Sequence, residues 1–137
     1  MDRRCNPLAQ PPTVGHAMGL AIVNNAGHPS GGLFLNIWHV SRANVDFDLL
    51  SIIPTEQIIG VELDDADIQI QGTLPKDTIS ERRFPGEGDL VIEAFVDAMK
   101  RTGYNGPWGV EMLSRDFRKL PLIDSTRHTF ATSIQYL

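Results

Sequence analysis

The chain has 137 residues, 42% hydrophobic and 21% charged, with a formal net charge of -5, enough for one domain with a real core and unlike a disordered chain. Its acidic balance, with no basic block longer than a pair such as Arg3-Arg4 or Arg82-Arg83, argues against a surface that tracks nucleic-acid phosphates. A single cysteine, Cys5, excludes an internal disulfide, and no apolar run reaches the roughly 18 residues of a membrane span or forms a signal-peptide core, so a cytoplasmic address is expected.

Residues 1–12 are polar, contain three prolines and lack periodicity, and read as a loose N-terminal lead-in before a single domain over 13–137. Thr13 can cap a helix over 14–26 with Val14, Met18, Ala21 and Ile22 on one face, ended by Gly27. After His28-Pro29-Ser30-Gly31-Gly32, residues 33–40 form an apolar run of strand length in which Asn36 and His39 are polar. Asn44 can cap a short helix with Val45, Leu49 and Ile52 on one side, and residues 58–63 read as a second strand. Residues 68–80 have no clear period and, with the glycine-rich loop after them, make a connection of about twenty residues, a length typical of functional loops. Asp89 can cap a helix with Val91, Phe95, Ala98 and Met99 on its face, and Gly103 stops it. A turn at Tyr104-Asn105-Gly106-Pro107 leads to a third short strand over 108–113, and Pro121 opens a last helix whose apolar face is Ile123, Phe130, Ala131, Ile134 and Leu137.

This order gives three β/α units and a parallel sheet. Phosphate-loop, serine-nucleophile and paired-cysteine zinc patterns are absent from the sequence. The chemistry-bearing residues lie where strands end. Glu111, the one charge of the third strand, either caps a loop or pairs with an arginine such as Arg115, or it is a metal or substrate ligand at the C-terminal mouth of a parallel barrel. Spacing leaves both open. Asn36 and His39 are likewise either satisfied core groups or site groups. Glu62, Asp64, Asp65 and Asp67 crowd one strand end; a solvated acidic loop is the plain reading of the three aspartates, while Glu62, on the strand, is a candidate ligand.

Four stretches carry a family resemblance: residues 33–39 with Trp38-His39, residues 60–66, Arg82-Arg83-Phe84-Pro85-Gly86-Glu87-Gly88-Asp89, and Thr102-Gly103-Tyr104-Asn105-Gly106-Pro107-Trp108-Gly109-Val110-Glu111. Over residues 17–118 the chain resembles the last three strand units of the xylose isomerase-like TIM barrels, the sugar phosphate isomerase and epimerase superfamily. The resemblance implies part of a (β/α)8 barrel holding a divalent metal (Mn, Mg, Co or Zn) at its later strand ends. Members isomerise or epimerise sugars and inositol derivatives, and relatives include dehydratases and apurinic endonucleases. Carried over, it implies Glu111, Glu62, Asn36 and His39 as metal ligands, Glu111 and Glu62 as catalytic carboxylates, and His39, Arg82 and Trp38 as substrate contacts. Two positions depart from the family pattern: Asn36 stands where relatives have aspartate, and Glu62 where they have histidine or glutamine. Counting back places the strand that should bring a first glutamate near Arg4.

The expected partner is a sugar-like small molecule, without nucleic acid or membrane. Three parallel strands leave both sheet edges unpaired, so a homo-oligomer or a complementary N-terminal half is also expected. The alternative is a noncatalytic remnant, a binding or assembly module that has lost the metal.

Overall fold

The computed structural model describes residues 14–137; the expected lead-in over 1–12 and the Thr13 cap lie outside them. Helix α1 (Val14–Ala26) ends where expected, with Gly27 at φ +56° donating its N–H to the Val23 carbonyl at 3.1 Å, a left-handed closure that glycine accepts without a Cβ penalty.

Strand β1 (Leu33–Asn36) is half the predicted length, because the chain turns into helix α2 (Ile37–Arg42). The cause is Asn36. Its backbone stays extended while its side-chain oxygen accepts from Trp38 N at 2.9 Å and His39 N at 3.4 Å, so the polar residue inside the apolar run is an N-cap. Trp38 and His39 therefore belong to a helix.

Strand β2 (Ile58–Leu63) lies between β1 and β3 (Trp108–Val110) in a parallel sheet of order β1-β2-β3. Asn36 is in register with Glu62, and Glu62 with Gly109. This is the α/β arrangement of a partial barrel. Leu35, Val61 and Leu63 point the opposite way from Asn36 and Glu62 and join one apolar cluster with Val40, Leu50, Ile92, Phe95 and Met99. Full burial of a side chain such as Phe95 contributes roughly 1.5–3 kcal/mol. On the Asn36 side, Phe34 remains 57% exposed. Its ring leaves no room for a Cβ at Gly60, which would sit 2.4 Å away.

Three local expectations change. Asp46, and not Asn44, caps the turn of 3-10 helix at Phe47–Ile52; Asn44 is left-handed at φ 52°, and the tighter period buries Leu50 and Ile53 while leaving Leu49 and Ile52 exposed. The long connection contains a helix, α3 (Leu74–Ser80), which Thr73 caps through Lys76 N at 3.4 Å. Helix α4 (Ile92–Arg101) starts after Val91 without a side-chain cap. Asp89 instead accepts from Ile68 N at 2.9 Å, and Val91 is exposed while Ile92 and Val96 join Phe95, Ala98 and Met99 in the core.

Helix α5 (Leu122–Ile134) follows Pro121 as predicted, but not with the predicted face inward. Ser125 and Ser133 are its buried residues, whereas Ile123, Phe130, Ala131, Ile134 and Leu137 are exposed. Thr129 and Ser133 border a cavity of about 340 Å³ against Trp108, Gly109 and Val110, and Phe130, Ile134 and Leu137 line its rim while staying largely exposed. The buried hydroxyls of Ser125 and Ser133 are satisfied on their own helix, donating to Leu122 O at 2.9 Å and Thr129 O at 2.7 Å. No helix among the described residues is long and apolar enough to cross a membrane.

Candidate active site

The parallel register brings the C-terminal ends of all three strands to one place. Glu62 sits across from Asn36, and Glu111 follows β3 directly, its N–H donating to Leu63 O at 3.2 Å. Gly109 makes room for this approach, since a Cβ there would lie 3.3 Å from Glu62 Cγ. The Asn36 amide nitrogen donates to Glu62 Oε2, Asp64 Oδ2 and Glu111 Oε2, each at 3.3 Å. Two amide hydrogens are thus shared by three carboxyl groups.

Opposite them lies Arg82, whose side chain is fully buried. Its Nε donates to Thr78 O at 3.0 Å and its Nη2 to Thr78 Oγ1 at 2.9 Å. Nη1 donates to Glu111 Oε2 at 2.7 Å and forms a very close ion pair with Asp64. The Trp38 ring backs the guanidinium, with 5.0 Å from Arg82 Cζ to the ring centroid, a cation–π contact strengthened by the burial of both side chains. Trp38 is itself fixed by Nε1 donating to Asp77 Oδ2 at 3.2 Å, and Asp77 also takes Arg42 Nε at 2.9 Å and Gln71 N at 2.8 Å.

His39 completes the rim, its Nε2 at 3.4 Å from Arg82 Nη2. A guanidinium only donates, so this ring nitrogen is the acceptor and the proton of the neutral ring sits on Nδ1. Although much of His39 faces solvent, desolvation of its site side and then the Arg82 charge hold its pKa below the usual histidine value, against smaller opposing pulls from Glu111 and Glu62. The ring is neutral at pH 7.

Asp64 is the surprise of the site. The sequence reading placed Asp64 and Asp65 in a solvated loop, yet they are 0% and 1% exposed. Burial pushes the Asp64 carboxyl up to about 7, outweighing the charge and hydrogen bond of Arg82 and the hydrogen bond of Asn36, and the Glu111 charge adds to the rise. Its Oδ1 is buried without a hydrogen-bond partner. Asp65 faces the other way, accepting from the backbone N–H groups of Ala66, Gly86, Gly88 and Leu90. Asp67 alone behaves as expected, a partly exposed residue pairing with Arg83 at 2.9 Å.

A sequence profile described as xylose isomerase-like TIM barrel matches residues 6–137. The chain belongs to the xylose isomerase-like TIM barrel family. Among its relatives, a 3-dehydroshikimate dehydratase from Pseudomonas putida is 30% identical over 85% of this chain and 18% of its own length. An inosose isomerase from Bacillus velezensis is 27% identical over 72% of this chain and 34% of its own. A solved structure described as IolI protein with a binding zinc atom superposes with a TM-score of 0.78 at 21% identity, over 88% of this chain and 42% of the other. A xylose isomerase-like TIM barrel/4-hydroxyphenylpyruvate dioxygenase fusion protein superposes with a TM-score of 0.72 at 26% identity, over 85% of this chain and 18% of the other. The chain thus spans between about a fifth and two fifths of the length of these family members.

The structure brings Glu111, Glu62, Asn36, His39 and Arg82 together within this family's fold, and places Trp38 behind Arg82 at 3% exposure. The donor set does not suit a divalent cation as it is arranged. A metal needs lone pairs aimed at it from about 2.0–2.6 Å, whereas Asn36 turns an NH2 group and Arg82 a guanidinium toward the carboxylates. Among the described residues no three acidic, histidine or cysteine side chains converge so as to hold one ion. Asp64, Asp77 and Thr78 are the members that sequence reasoning missed. For Asp64 the signal was available in its position two residues beyond Glu62, which puts both on one face of an extended segment.

Proposed function

We propose that the chain carries the C-terminal wall of the catalytic centre of an enzyme that moves a proton on the carbon next to a carbonyl in a polyhydroxylated compound, in the manner of sugar and inositol-derivative isomerases and dehydratases. The observation that supports this reading is the meeting of Glu62 and Glu111 with Asn36, Arg82 and His39 at the ends of three parallel strands, where barrels of this type carry their chemistry. The relatives named for 3-dehydroshikimate dehydration and inosose isomerisation share a starting step available to such carboxylates, general-base removal of a proton beside a carbonyl.

In this reading Glu111 is the base. Arg82 and Asn36 hold its Oε2, which leaves Oε1 to face the substrate from a side chain that is 36% exposed. Neutral His39 offers its Nδ1–H to a substrate oxygen, and Glu62 accepts from a hydroxyl. Arg82 and Asn36 orient these groups from behind. The divalent cation implied by the resemblance supplies no step here, because the residues present do not fit it.

The test is proton exchange in heavy water. Incubated with 3-dehydroshikimate or an inosose, the chain is expected to speed deuterium incorporation next to the carbonyl, read by NMR, and Glu111→Gln to lower that rate by about 100-fold or more, the usual worth of a general base. No exchange above buffer for any such compound removes the catalytic reading. A second reading, a noncatalytic binding module, is favoured by Arg82 occupying the middle of the carboxyl cluster; it gains if saturation-transfer signals show the compound bound while no exchange occurs.

The same proposal includes a protein partner. The outer edges of β1 and β3 are unpaired among the described residues, and the apolar side of α5 is open, Leu122 at 80% and Phe130 at 66% exposure. Together these form more uncovered apolar surface than a lone monomer usually tolerates. A second copy or a separately supplied N-terminal part of the barrel would cover them. Light scattering after size exclusion is expected to give a mass above 15.2 kDa for the chain alone, and a monodisperse monomer would contradict the idea.

A further inference from the structure

We infer that this centre is built around an internal cation, the Arg82 guanidinium, and an amide donor, Asn36, in the place where a divalent metal would sit, so that the chain's carboxyl cluster is organised without metal. The inference concerns how the site is held together and stands whether the site catalyses or only binds.

The orientation of the Asn36 amide is fixed by its surroundings. On one side lie two backbone donors, Trp38 N and His39 N, and on the other three carboxyl acceptors, Glu62, Asp64 and Glu111. Flipping the amide would put its NH2 against two N–H groups and its oxygen against three carboxyl groups, losing every contact at once. The side facing the cluster is therefore a donor, which a cation cannot use. Arg82 is equally committed. Thr78 takes two of its donors, Asp64 and Glu111 share a third atom, and Trp38 closes one face. Swinging it out would break its ion pairs with Asp64 and Glu111, both bonds to Thr78 and its contact with Trp38 together. The guanidinium does for these carboxyl groups what an ion would do: it offsets their repulsion and fixes the distance between them.

The residue that decides between the two solutions is Asn36. An aspartate at this position keeps the cap, because its Oδ1 accepts from the same two N–H groups, and turns the second oxygen into the cluster in place of the NH2. Asn36→Asp thereby adds a ligand and a negative charge, the two changes that raise affinity for a hard cation.

Manganese titration of the 137-residue chain, followed in 1H–15N spectra without substrate, tests this directly. In the parent chain the Asn36 side-chain NH2 and the Arg82 Nε–H signals are expected to keep their intensity at one equivalent of Mn2+. In Asn36→Asp the Arg82 Nε–H signal is expected to be broadened away, with Mn2+ bound at least about 10-fold more tightly than in the parent. Broadening of these signals in the parent at one equivalent overturns the inference. Broadening in neither protein overturns the role given to Asn36. Should Asn36→Asp fold only with Mn2+ present, the inference is supported, and the parent titration still decides it without the variant. Because no substrate takes part, failure of the exchange assay leaves this result unaffected.

Discussion

Arg82→Met lowers the unfolding free energy by about 3–5 kcal/mol, the usual cost of stripping one partner from a buried ion pair. Methionine matches much of the volume and can stay against Trp38, so the loss lies in the ion pairs and the two hydrogen bonds to Thr78. Asp64, 0% exposed, is left facing Glu111 with only the Asn36 amide to stabilise it. Urea denaturation measures the effect, and adding Asp64→Asn to Arg82→Met should restore part of it by removing a buried carboxyl that must otherwise take up a proton to stay there. The pH dependence follows from the same group. Between the ordinary aspartate value of 3.8 and about 7, folded Asp64 holds a proton that the unfolded chain has released. The folded state then binds more protons, and this residue's contribution to stability falls as pH rises through that window. Asp64→Asn should flatten that part of the profile. Arg82→Met should extend it to higher pH, since the group that pulled the carboxyl down has gone. A profile for Asp64→Asn that keeps the parent's slope would assign the dependence to another group.

Asp65→Ala should cost at least about 2 kcal/mol, because it strands the buried backbone donors of Ala66 and Leu90, at about 1–3 kcal/mol each, and releases the partly buried ones of Gly86 and Gly88. The Asp65 oxygens collect Ala66 N at 2.8 Å and Gly86, Gly88 and Leu90 N at 2.9 Å, so one carboxylate shapes the whole glycine-rich loop. The loop can close this far only because residue 88 is glycine: a Cβ there would lie 2.5 Å from Asp65 Oδ1 and 2.6 Å from Ala66 O. Hydrogen exchange provides the local readout. The amides of Gly86, Gly88 and Leu90 should lose protection in Asp65→Ala well before those of β2. Asp65→Asn, which keeps one acceptor oxygen, should fall between the variant and the parent. Uniform loss of protection across the chain would place Asp65 in the global core and not in the loop.

The parallel order of the strands was legible because short apolar runs alternate with helical patterns and turn residues such as Gly31-Gly32, Pro54 and Gly106-Pro107, and Ile58–Leu63 emerges with its predicted limits. Asn36 misled because one residue can be a polar break in a strand or the cap that ends it, and only the following N–H groups distinguish these. The face of α5 misled for another reason. Its apolar stripe is real in the sequence, but a stripe is buried only if something lies against it, and among the described residues Phe130, Ile134 and Leu137 border an open cavity beside β3 that no side chain fills. At the site, the resemblance pointed to Glu111, Glu62, Asn36, His39 and Arg82, which do converge. It could not show which end of the Asn36 amide faces inward, because that depends on three carboxyl groups far apart in the chain. Asp64 and Asp65 passed for loop residues since composition cannot see that Arg82 and the Gly86–Gly88 turn close over them.

The run from Glu62 to Asp65 assigns neighbouring residues to unrelated tasks: Glu62 and Asp64 to the carboxyl cluster, Asp65 to the loop. Since adjacent side chains in extended backbone point to opposite sides, inserting or deleting one residue here would exchange the tasks, sending the loop's anchor into the cluster and a cluster carboxylate under the loop. Length variation in this short run is therefore tolerable only in steps of two. Anyone building chimaeras between this chain and its relatives should place the junction before Ile58 or beyond Leu90, so that the alternation is inherited whole.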